Sequence, residues 1–167
     1  EVERISLRGQ IDSAPIVDLA AFTASRAEFL ARGLGRRVNA SCDRNAVVRG
    51  DSALLERILD NLVGNAAKYS IAGAQIDIAV QNEDGAVLLA VMDRGPGILP
   101  EEQKRIFGTF ERGTAAVGTE GFGLGLSLVT EAVRWHGGDV AVADRPGGGS
   151  VFRVRLPVVS GIEKEAV

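Results

Sequence analysis

Between residues 75 and 92 the chain carries a pattern that only a β-sheet accommodates. Residues 75–81 alternate Ile76, Ile78 and Val80 with polar neighbours, the period-two signature of a half-buried strand. Residues 82–85 have the composition of a hairpin turn. Residues 86–92 are then apolar throughout, as expected of a strand in the middle of a sheet. Such a strand needs a neighbour on each side, and four other short segments can supply strands: residues 37–42, 46–49, 139–143 and 151–156.

Helical spacing occupies the gaps between them. From Pro15, a favourable helix start, Val17, Ala20, Ala21, Ala24, Ala27 and Leu30 recur at helical intervals and stop near Gly33 and Gly35. A second helix is capped by Asp51 or Ser52, has Leu55 as its first core residue and runs to about Tyr69. A short helix fits residues 101–107, and a longer one residues 124–135. Residues 1–10 read as an entering strand or the end of an upstream helix, and residues 160–167 as a loose tail. The order is that of several helices layered on one mixed sheet.

At 167 residues the chain has room for one domain with a core of its own. Its 19 basic and 22 acidic side chains leave a net charge of −3, not the basic footprint of a nucleic-acid binder. No apolar run approaches the ~20 residues of a membrane helix, so no direct membrane contact is expected. Cys42 is the sole cysteine, which excludes an internal disulfide and suits a reducing cytoplasm. A chain opening on Glu1 with no signal peptide is expected to be part of a longer protein, whose other parts could be anchored in a membrane.

The helix ending at Tyr69 carries two faces. Leu55, Ile58, Leu59, Leu62, Val63 and Ala66 form an apolar one, while Asn61, Asn65 and Lys68 fall within about 60° of one another on another. Two amides and an ammonium in that arrangement suit an anionic ligand with Mg²⁺, which takes one or two protein oxygens beside phosphate and water. A solvated amphipathic face accounts for the helix alone equally well. Further on, Asp93 ends the apolar strand and opens "DRGPGI", with Gly95 and Gly97 allowing a sharp turn close to a ligand. A carboxylate at the edge of a sheet can accept from the amine of adenine and would reject guanine. Taken alone, an Asp-Gly turn is the simpler reading. "GFGLGL" at residues 121–126 opens a helix and presents backbone N–H groups suited to phosphate. Between these lies a lid-like stretch with Phe107, Phe110 and Arg112 among small residues.

Taken in order, these pieces closely resemble the catalytic ATP-binding domain of sensor histidine kinases, of the Bergerat-fold ATPase superfamily. "NLVGNAAKYS" matches the N box, "DRGPGI" the first glycine box, "IFGTFER" the F box and "GFGLGLSLV" the second glycine box, over roughly residues 15–157. The resemblance implies an α+β two-layer sandwich, with a mixed β-sheet covered on one face by helices and a mobile ATP lid. It implies a domain at residues 15–158, with residues 1–14 an extension or the end of an upstream dimerisation domain and residues 159–167 a tail.

It further implies ATP and Mg²⁺ as cofactors, with Asn65 on the metal and Asn61 and Lys68 at the phosphates. Tyr69 would stack beside the adenine. Asp93 would hold the adenine amine, in a pocket shaped by Gly95, Gly97 and Ile98. Phe107 and Phe110 would anchor the lid and Arg112 would reach phosphate. Gly121, Gly123, Leu124, Gly125 and Leu126 would pass along the triphosphate, and Ser150 would sit near the adenine carboxylate. The partners implied are a dimerising phosphoacceptor domain, a response regulator and a second copy of the parent kinase. In gyrase and mismatch-repair ATPases a glutamate one turn before the magnesium asparagine activates water; here that place is Asn61, and an amide is no general base. Serine kinases acting on anti-sigma-factor antagonists, and a nucleotide-sensing module without catalysis, are the alternatives. His136, the only histidine, lies in "WHGGD" and is expected to end a helix rather than accept phosphate.

Overall fold

The computed structural model describes residues 9–107 and 125–159. Among the described residues the principal strands and helices follow one another as β1 (Ile16–Asp18), α1 (Leu19–Leu34), β2 (Val38–Cys42), β3 (Val47–Arg49), α2 (Ser52–Tyr69), β4 (Ile76–Glu83), β5 (Ala86–Met92), α3 (Pro100–Gln103), α4 (Gly125–Trp135), β6 (Asp139–Asp144) and β7 (Ser150–Pro157). The main sheet has the order β2-β4-β5-β7-β6, with β2 parallel to β4 and every other neighbour antiparallel. β5 is interior, as its unbroken apolar sequence requires.

Register explains why one face of the sheet is covered. Pairing aligns Ala40, Ile78, Val91, Phe152 and Val142 in one cross-sheet row, and Cys42, Val80, Leu89, Val154 and Val140 in the next. α2 lays Leu55, Ile58, Leu59, Leu62, Val63 and Ala66 into the same core, and α4 adds Val129, Ala132 and Val133. The rows between them hold Ser41, Ala79, Ala90, Arg153 and Ala141, which project from the other face. The expected α+β sandwich, a mixed sheet with helices on one face, is what the chain forms.

α2 begins and ends where its sequence predicts. The Asp51 carboxylate accepts from the Leu54 N–H at 3.0 Å. At the other end Arg36 donates to the carbonyls of Ala67, Ile71 and Ala74 at 3.2–3.3 Å, serving groups the helix cannot pair internally.

The first helix departs from expectation. Pro15 does not start it: Ile16–Asp18 pairs antiparallel with Val47–Arg49, and α1 begins at Leu19 with Asp18 as its cap, accepting from the Ala21 N–H. Its buried side is Leu19, Thr23 and Ala27, while Ala21 and Ala24 face solvent. An alanine-rich helix satisfies several helical faces equally, so only packing chooses among them. The β4–β5 turn is also tighter than expected, because pairing continues through Asn82 and Glu83. The short helix keeps only Pro100–Gln103, followed by turns up to Phe107.

Candidate functional site

The fold brings the end of α2, the loop after β5 and the β6–β7 turn together, while the start of α4 meets the middle of α2 at Asn61. Asp93 follows an interior strand rather than lying at a sheet edge, and it is buried, with 6% exposure. Its Oδ1 accepts from the backbone N–H of Gly95 at 2.8 Å and of Ser150 at 3.2 Å. Its own N–H donates to the Ser150 carbonyl at 3.0 Å. Among the described residues nothing donates to Oδ2. That leaves Oδ2 available to accept from a ligand's donor.

Two glycines make this packing possible. Gly149 has φ +104°, and a Cβ there would collide with the Asp93 carbonyl. A Cβ on Gly95 would lie 2.7 Å from the Tyr69 carbonyl. Gly95 is thus needed for contact with the end of α2. The same junction is tied by the Arg94 N–H, which donates to Ser70 Oγ at 2.9 Å. Gly97, with φ +79°, faces the Gly149 carbonyl.

Asn61, Asn65 and Lys68 line one open cleft of about 440 Å³ together with Asp60, Gly64, Ala67 and Leu34. Asp93, Tyr69 and Ser150 are not part of its lining. Asn61 donates to the Arg57 carbonyl at 2.7 Å, which turns its Oδ1 toward α4: a Cβ on Gly125 would be 2.8 Å from that oxygen. Asn65 is half-buried, and its side chain takes no partner among the described residues. Lys68 is exposed and Tyr69 half-buried. Ile98, Phe107 and Leu126 pack against the core, with Phe107 edge-on to Phe152 at 6.1 Å. Phe110, Arg112, Gly121, Gly123 and Leu124, and with them the expected lid, lie outside the described residues.

Asp60 and His136 have other employment. Asp60 receives Nε and Nη2 of Arg26 at 2.8 and 2.6 Å, a two-point tie between α1 and α2. His136, only 2% exposed, follows α4; its Nδ1–H donates to the Ala132 carbonyl at 2.7 Å, and its Nε2 accepts from the Asp51 N–H at 3.2 Å. Gly137 then turns with φ +73°, and Gly138 N–H returns to the Val133 carbonyl, the expected helix-ending role.

Burial holds the His136 imidazole below its ordinary value, outweighing the Ala132 carbonyl and the Asp51 carboxylate that favour its charge. The unfolded chain therefore takes up this proton first as pH falls. Stability from neutral His136 is full above about 6.5 and declines below it, by at most ~1.4 kcal/mol per pH unit. As His136 is the only histidine, thermal melts of the wild type between pH 7 and 5.5 should show falling midpoints, and His136→Gln should flatten the slope. A flat wild-type profile would contradict this account.

Residues 50–160 match the family model described as histidine kinase-, DNA gyrase B-, and HSP90-like ATPase, and the chain belongs to that family. Sensor kinases are among its curated relatives. It is 38% identical over 142 residues to the sensor protein KdpD of Escherichia coli, covering 84% of this chain and 16% of KdpD. It is 37% identical over 159 residues to the sensor-like histidine kinase SenX3 of Mycobacterium tuberculosis, covering 94% of this chain and 38% of SenX3. The chain thus spans well under half the length of these relatives. Among solved structures, the mycobacterial sensor histidine kinase MprB superposes with a TM-score of 0.76 at 30% identity, over 86% of this chain and 97% of that one. ShkA, solved in complex with AMPPNP, gives 0.74 at 30% identity over 87% of this chain and 31% of its own. Within the ATPase family the chain is an ATP-binding domain of the sensor histidine kinase type.

Proposed function

We propose that this domain binds Mg-ATP and transfers its γ-phosphoryl group to a histidine on a separate dimerisation domain of a two-component sensor kinase. The observation that carries the reading is the buried Asp93 residue, with one carboxylate oxygen held by backbone and the other without a donor among the described residues. Asp93 Oδ2 accepts from the adenine amine, and Tyr69 and Ile98 flank the base. Asn65 offers an amide oxygen to Mg²⁺, while Lys68 and the N-terminus of α4 at Gly125 and Leu126 meet the phosphates. Asn65 suits the metal: it is half-buried, its amide takes no partner among the described residues, and Mg²⁺ prefers one or two protein oxygens with phosphate and water. When bound, the metal neutralises charge on the phosphates.

Transfer requires positioning more than proton chemistry. The bond from the acceptor imidazole nitrogen to the γ-phosphorus forms as the bond to the bridging oxygen breaks, and ADP leaves. Asn61 cannot activate water, and the neighbouring carboxylate, Asp60, is committed to Arg26. ATP is thereby kept for the acceptor. In this reading residues 15–158 form the catalytic domain, with residues 1–14 an extension or the end of the dimerisation domain and residues 159–167 a tail. The parent acts as a homodimer with its catalytic part in the cytoplasm, and passes phosphate to a response regulator. No helix among the described residues is long and apolar enough to cross a membrane.

Both His136 nitrogens are engaged and the ring is buried, which supports an acceptor supplied from elsewhere. Incubation with γ-labelled ATP should leave this chain unlabelled and label an added phosphoacceptor domain of the parent. Acid-labile label on His136, or none on the acceptor, would overturn the proposal.

A further inference from the structure

The β6–β7 turn and the Asp93 loop grip one another from both directions. Arg145 donates from Nη2 to Asp77 Oδ2 at 2.5 Å and from Nη1 to the Asp93 carbonyl at 3.3 Å. Arg94 reaches back, donating from Nη1 to the carbonyls of Pro146 at 2.9 Å and Gly148 at 3.0 Å. The Arg145 and Asp77 side chains are only 13% and 21% exposed. Removing two charges from water to that extent is costly, and a hairpin turn does not require it. Burial raises the Asp77 carboxyl, but bonds from Gln75 and Arg145 outweigh it and hold the group below its ordinary value.

Arg145 completes the restraint on Asp93. The N–H and Oδ1 of Asp93 are bonded to Ser150, Oδ1 also to Gly95, and Arg145 adds the carbonyl. Among the described residues every polar group of Asp93 is then held except Oδ2. Base choice by a single acceptor depends on that oxygen staying where the amine will be, and small displacements weaken such discrimination strongly.

We propose that Arg145, held by Asp77, is a positioning residue that sets the nucleotide specificity of the domain by fixing Asp93. This rests on the reading of Asp93 as the adenine acceptor. Arg145 acts through the Asp93 backbone and not through the nucleotide.

Titration of Mg-ATP and Mg-GTP against this chain and its Arg145→Met and Asp77→Ala variants tests the idea. Each variant should bind ATP ~10-fold more weakly with GTP little changed, so that the ATP preference narrows by about that factor. Arg145→Lys should fall between, since an ammonium lacks the planar fork that holds both acceptors. A loss of folding alone would reduce both apparent affinities by one factor and leave their ratio intact. An ATP preference preserved in Arg145→Met and Asp77→Ala overturns the inference alone. Wild type that binds both nucleotides equally overturns the adenine reading and this inference with it. Should Arg145→Met fail to fold, an unchanged ratio in Asp77→Ala still overturns it.

Discussion

Asn65→Ala should reduce phosphoryl transfer to an added acceptor domain by ~10²-fold or more, the scale seen when one electrostatic contact in a reacting site is removed. The reason lies in where Asn65 sits. It is half-buried beside the apolar stripe of α2, which includes the buried Leu62, Val63 and Ala66, and its amide makes no internal bond among the described residues. Removing the amide opens no core cavity and orphans no partner, so stability should change by no more than about 0.5 kcal/mol. Alanine is also a strong helix former. Transfer assays run beside thermal melts separate the two quantities. Near-normal transfer would remove Asn65 from the metal site, and a large fall in melting temperature would recast it as a structural residue.

Asp93→Asn is expected to weaken ATP binding by ~10- to 100-fold, corresponding to a loss of ~1–3 kcal/mol for an acceptor exchanged inside a buried site. The geometry makes this substitution a selective probe. Both backbone bonds fall on Oδ1, and asparagine can keep that oxygen in place with the amide nitrogen where Oδ2 was. The loop thus retains its bonds to Gly95 and Ser150 and loses only the free acceptor. An amino group there donates to the guanine carbonyl but cannot accept from the adenine amine, so the gap between ATP and GTP should narrow. Affinity for ATP equal to that of wild type would reduce Asp93 to a turn residue.

Much of this was legible in local pattern. Strict alternation at Ile76, Ile78 and Val80, the unbroken apolar run of β5 and the two-faced spacing of α2 each specify an element without reference to the rest. The order of the four boxes named the family, which the comparison with sensor kinases bears out. Asn61, Asn65 and Lys68 were visible as one set because three and four residues make one helical turn.

Other features had no local signature. Ile16–Asp18 became a strand because Val47–Arg49 lies beside it, overriding the helix start that Pro15 suggests. Arg94, Arg145 and Asp77 read as ordinary surface charges in the sequence, and Gly149 as one of three turn glycines. They meet only because β5 and β7 are neighbours and β4 lies on the far side of β5. Period and composition report which way a side chain faces within its own element, since the backbone geometry of helix and strand dictates it. Which distant groups restrain the Asp93 carboxylate depends instead on strand order and register, and these arise from burying every element in one core.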